Sequence, residues 1–244
     1  MKGLLSANAT AQLSLRGAHQ KSHSRMSSVF ICLEELASNN LELLAELLPS
    51  CQDDFLRLSI NRKTKARSIK YCSRRILVEP NLKLYKKLLF PLSNLFNDAY
   101  KQKNLSRCLI IQCLMTECFM LSSYILYLPL VDEYTNLILH KAINDEVDES
   151  SYSQNWLQRN FKEIEKDIET SMKLALHEIL LITKALNSNM DLTGIDTYKL
   201  SLEICISSTE FLEEIGFSST DARKIVRSIW LKEMVVYWKT KRYD

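Results

Sequence analysis

From Cys108 to Val131 the chain runs 24 residues with a single ionised side chain, Glu117. So apolar a run must be buried, and it is long enough to cross a bilayer as a helix. Gln112, Glu117, Ser122 and Ser123 interrupt it and Pro129 ends it, so it reads as a core helix and not as a transmembrane span. A lone carboxylate midway along an apolar helix costs on the order of several kcal/mol unless a cation or a metal compensates it. The partner of Glu117 is therefore the first thing to find.

The rest of the chain must then supply helices. Among 244 residues there are four glycines and four prolines, far fewer than the turns of a β-rich or α/β fold require. The net charge of +3 is too small to imply nucleic acid. Seven cysteines, odd in number and without a CxxC pair, lie mostly in apolar stretches. They read as reduced thiols filling the core of a cytoplasmic protein. The first 33 residues lack Asp and Glu but carry Lys2, Arg16, Lys21 and Arg25, which fits an organelle transit peptide or, the preferred reading, a disordered leader. Residues 1–18 are set apart on that ground, and 19–240 read as one helical domain.

Helical spacing predicts a first helix over about 26–48, with Phe30, Ala37, Leu41, Leu44 and Leu48 in its apolar stripe, and Glu34 among them. A second, over about 51–77, aligns Leu58, Ile69, Cys72 and Ile76 with Arg62 and Lys65 in the same stripe. A third follows Pro80 with Leu84, Leu88, Leu92, Leu95 and Phe96 inward and a kink near Pro91. The helix of Glu117 is the fourth. Beyond Pro129 the pattern resumes through Leu137, Leu139, Ala142 and Ile143 and brings Glu146 and Glu149 near the inner face. Polar residues at 148–155 break it. Helices at about 157–187 and 196–214 follow, separated by a turn around Gly194, and a last one starts at a cap near Ser218. The sum is an all-α bundle of about seven to eight helices.

Four of these helices put ionisable groups where apolar ones belong: Glu34; Arg62 with Lys65; Glu117; Glu146 with Glu149. One carboxylate, a spaced pair, one carboxylate and another spaced pair is the layout of ferritin-like di-iron bundles, in which each pair is Glu-x-x-His. Here neither pair is. The stretch LIIQCLMTECFMLSSYILYLPLVDEY, with NDE at 144–146, NWLQRNF at 155–161, SR at 24–25, LAELLP at 44–49, Cys72 in its helix and FLEEIGF at 211–217, resembles the cyanobacterial aldehyde-deformylating oxygenases, or aldehyde decarbonylases, over about residues 19–230.

That resemblance implies a ferritin-like di-iron enzyme using O2 and electrons from a ferredoxin-type donor to convert a fatty aldehyde into an alkane plus formate. Carried over by position, its ligands fall on Glu34, residues 62 and 65, Glu117, Glu146 and residue 149. Three carboxylates survive; the first Glu-x-x-His has become Arg62-x-x-Lys65 and the second His has become Glu149. A guanidinium has no lone pair to give a metal, and Lys65 can ligate only after losing a proton that Arg62 and ordinary pH help it keep. No di-iron centre and no cofactor are therefore expected. The expectation is a salt-bridge network in its place, with Arg62 bonding Glu34, Glu117 or Glu146 and Lys65 reaching Glu146 or Glu149.

On this reading the chain is a long-chain lipid-binding or partner-binding, regulatory member of the family. The alternative is an active oxygenase with an altered metal site, iron held by Glu34, Glu117, Glu146 and Glu149. Met115, Phe119, Met120, Tyr124 and Tyr127 are placed where the family's apolar tunnel accepts the aldehyde chain. Lys63, Arg67, Lys70 and Arg74 share one face of a helix without an acid between Asp54 and Glu79, a dock for an acidic protein of the ferredoxin or acyl carrier type, or for membrane headgroups. His19, His23, His140 and His177 show no ligand spacing with one another.

Overall fold

Caps and prolines set the helix boundaries. A computed structural model of the chain describes the backbone of residues 2–75, 80–149, 151–190 and 195–240, and the side chains of 25–75, 80–145, 152–186 and 195–232. Helix α1 spans Lys2–Leu47 and ends where Pro49 opens a short 3-10 turn. It is longer than the periodicity predicts, because residues 2–25, which include those set apart by composition, are helical and continuous with it. Helix α2 covers Gln52–Arg75 and α3 covers Leu82–Lys101, the latter capped by Asn81, whose side chain accepts from the Leu84 amide. Pro91 sits inside α3 on its exposed side, where the hydrogen bond that its ring nitrogen cannot donate is replaced at least cost.

The apolar run forms one continuous rod in three pieces. Asn104 caps α4, Leu105–Cys113; a π-helical segment follows at Leu114–Met120, and α5, Leu121–Tyr127, completes it before a 3-10 turn at Leu128–Leu130. Of its most apolar window, 78% is buried by the rest of the protein, so this rod is the centre of the bundle. Asp132 caps α6, Glu133–Glu149, through the amides of Tyr134 and Thr135. The predicted break over 148–155 is much shorter, since α7 already starts at Ser151 and runs to Met190. Helices α8, Thr197–Ile215, and α9, Ser219–Thr240, close the fold. Ser218 caps α9 as the sequence suggests, accepting from the Asp221 amide at 3.1 Å. Counting the rod once, the described residues hold eight helices and no strand.

The longest contact is between α1 and α2, with α3 and the central rod against α1, and α7 packed on α4, α8 and α9. Most of the predicted inner residues are inside: Phe30, Ala37, Leu41, Leu44, Leu58, Ile69, Cys72, Leu92, Phe96, Leu139 and Ala142 are all buried. Two are not. Leu84 is exposed because α3 turns Tyr85 and Leu89 inward instead, and Leu137 is 66% exposed because Leu139 and Ala142 define the inner side of α6. Ile76 and the turn around Gly194 lie outside the described residues. All seven cysteines are free thiols, and six of them are buried.

Candidate functional site

Glu34 lies in the apolar stripe of α1 one turn after Phe30 and is fully buried. A sealed carboxylate needs donors, and two helices supply them. Arg62 of α2, itself buried, brings Nη1 to 3.3 Å from Glu34 Oε2, and the Tyr124 hydroxyl of α5 donates to Oε1 at 2.7 Å. Phe30 packs edge-on against Tyr124 and Tyr127, with ring centroids 4.6 and 5.6 Å away. The charged contact is thus closed over by aromatic rings. A charge-assisted bond in such a dry place is strong, but its ions have also lost their hydration, so the arrangement stands only while all its members are present.

Lys65, one turn beyond Arg62 and also buried, faces a cavity of about 460 Å³ between α2 and α6. Asn61, Ser68, Lys141 and Asp145 also line it. A polar seam runs from this region along α1: Ser38 bonds Ser59 at 2.9 Å, and Asn40 donates to Gln112 at 3.0 Å.

Glu117 is treated differently. It stands in the middle of the π-helical segment, where the Leu121 amide reaches back five residues to the Thr116 carbonyl, and it is only half-buried. Widening a helix by one residue per turn re-aims the side chains on the widened turn, and such segments recur at functional sites. Gln154 of α7 donates to Glu117 Oε2 at 2.6 Å and also reaches Glu214 of α8 at 3.2 Å. The buried Cys113 thiol lies one turn before Glu117; burial, and then the negative charge of Glu117, push its pKa well above the usual thiol value.

The structure therefore brings Glu34 and Arg62 together as the sequence suggests, and gives Glu117 an amide partner that the sequence did not suggest. The resemblance assigns Tyr124 to an apolar tunnel; its ring is in the core, and its hydroxyl donates to Glu34. Met115, Phe119, Met120 and Tyr127 are buried as well, and the cavities between α2 and α6 and between α1 and α3 are lined by other residues. Gln154 lies in the polar stretch 148–155, where the sequence predicts a break. The side chains of Glu146 and Glu149 lie outside the described residues. No group of three His, Cys, Asp or Glu among the described residues is placed to hold a metal ion.

On the outer side of α2, Arg67 and Arg74 are exposed and Lys70 is half-buried. Lys63 is tied to Glu42 of α1 through an ion pair in which both side chains are more than 40% exposed. Arg75 stacks on Tyr134 of α6 at 4.2 Å.

Residues 17–230 match the family model of the long-chain fatty aldehyde decarbonylases. The fold is also that of a solved structure described as a protein with aldehyde deformylating oxidase activity from Synechococcus. The two share 30% identity and superpose with a TM-score of 0.84, covering 86% of this chain and 97% of the other. Sequence and fold agree over nearly all of the described bundle, and the chain belongs to the long-chain fatty aldehyde decarbonylase family.

Proposed function

We propose that this chain is a family member in which a buried ion-pair network stands where its relatives hold two irons, and that it works as a binding protein for long-chain aldehydes or related lipids. The observation that carries the reading is the Arg62 guanidinium against Glu34, both sealed from water, with the Tyr124 hydroxyl donating to the same carboxylate. The donor set does not fit a pair of irons. Arg62 offers no lone pair, and it sits within bonding distance of a carboxylate that would have to bind metal. The imidazoles that the resemblance calls for at 65 and 149 are a lysine and a glutamate, a poorer match to iron. Family membership supplies the ligand class. These residues remove the usual means of oxidising the ligand, which leaves binding, or presentation to a partner, as the role.

Elemental analysis of the purified full chain, with mass spectrometry of extracted lipids, tests this. The expected result is far less than one iron per chain together with long-chain carbonyl or carboxylic compounds; about two irons per chain would sink it. The combined change Arg62→Glu, Lys65→His and Glu149→His should raise iron uptake toward two per chain. No gain would mean that more than the donor set has been lost.

A second reading is favoured by Glu117. Its carboxylate is only half-buried and stands on a π-helical turn, a local geometry that recurs at functional sites. An altered site using Glu34, Glu117, Glu146 and Glu149 would give about one metal per chain, lost in Glu117→Gln.

A further inference from the structure

We propose that the outer face of α2, with the adjoining edge of α6, docks this protein on an anionic lipid bilayer. Positions 60, 67, 71 and 74 fall on one side of α2, within a helical stripe that looks away from the core. That stripe alternates two kinds of side chain. Ile60 is 63% and Tyr71 59% exposed, while Arg67 and Arg74 are exposed beside them and Lys70 flanks them. From Phe55 to Arg75 there is no carboxylate in the helix. Across the groove, α6 presents Leu137, at 66% the most exposed large apolar residue among those described.

Single exposed apolar residues mean little, but aliphatic and aromatic anchors set among cations on a helical stretch without carboxylates match the chemistry of a membrane interface. The cations meet lipid phosphates and carboxylates, the aliphatic tips enter the acyl boundary, and the tyrosine sits where one end of a ring is dry and the other wet. An acidic protein would use the cations and leave Ile60 and Leu137 bare, which favours the lipid. The cavity of about 460 Å³ opens between α2 and α6 beside this face, with the buried Lys65 in its lining. It offers a path inward from the docked surface. The inference rests on the long-chain ligand class above, since such molecules partition into bilayers and a protein that collects them gains by lying on one.

Co-sedimentation with vesicles tests it, using the full chain, phosphatidylcholine alone, and phosphatidylcholine with about a third phosphatidylserine. Binding is expected only to the anionic vesicles and should weaken with added salt. Each basic side chain near such a surface is worth about fivefold in partition, so Arg67→Gln, Lys70→Gln and Arg74→Gln together should weaken it about 100-fold. Ile60→Ser, Tyr71→Ser and Leu137→Ser together should weaken it about tenfold with every charge in place. Circular dichroism melting shows that each triple variant is folded. Equal binding to both vesicle types overturns the proposal. So does an undiminished apolar triple, because charge alone would equally suit an acidic protein. Vesicle binding does not depend on iron content, so its failure is separable from failure of the ion-pair reading.

Discussion

Glu34 and Glu117 are both carboxylates planted in apolar helices of one bundle, and the protein accommodates them by opposite means. Glu34 is fully buried on a regular helix and is held by a guanidinium and a phenol. Glu117 is half-buried on a π-helical turn and is held by an amide whose other neighbour is the exposed Glu214. Burial decides the difference. Away from water an ion needs protein groups for its whole shell, whereas at a partly wetted position solvent shares the task.

The strongest way to break this contrast is to remove the counter-ion. Arg62→Met leaves Glu34 charged and buried and should cost about 3–5 kcal/mol. For a protein of this size that is a fall in Tm of roughly 6–20 °C. Adding Glu34→Gln to Arg62→Met should recover much of the loss, since the uncompensated charge goes with it. Urea titration of the two variants measures the coupling. A double variant as unstable as Arg62→Met would mean that Arg62 acts by packing and not by charge.

Tyr124→Phe comes next. It keeps the ring against Phe30 and removes only the hydroxyl that donates to Glu34, a bond to a charged acceptor worth about 1.5–3 kcal/mol. An unchanged denaturation midpoint would show that another donor already saturates the carboxylate. Glu117→Gln should cost under about 1 kcal/mol, because the new carbonyl can still accept from Gln154. If it cost as much as Arg62→Met, Glu117 would belong to the same charged core and the contrast would fall.

Much of this was legible in the residues. Scarce glycine and proline, the apolar periodicity, the cap at Ser218 and the placement of Glu34 and Arg62 in apolar stripes point to the bundle and to one of its key contacts. The faces of α3 and α6 were less legible. Each carries more apolar residues than one stripe can hold, so Leu84 and Leu137 fit a stripe on paper while Tyr85, Leu89 and Leu139 fill the core. The π-helical turn left no compositional trace, because it changes hydrogen-bond register without asking for a particular residue. Gln154 escaped for another reason. Its polar neighbours resemble a loop, and only tertiary packing makes them the first turns of α7.

The same two helices provide the weakest case, which sharpens the rule that burial sets the value of a pair. Glu42 of α1 meets Lys63 of α2 with both side chains more than 40% exposed. Hydrogen bonding to Lys63, opposed by some desolvation and helped by Ser59, holds the Glu42 carboxyl below its usual value of 4.5. A carboxyl whose pKa is lowered by folding stabilises the fold above its unfolded pKa, and that stabilisation disappears as pH falls through the lowered folded value. Solvent screens the pair, so Lys63→Met should cost under about 1 kcal/mol at pH 7. The cost should shrink with added salt and vanish once Glu42 is protonated in both states. Urea midpoints for the two proteins at pH 7 and at pH 3 measure this. A Lys63→Met loss at pH 7 that matched Arg62→Met would show that exposure does not separate the two pairs.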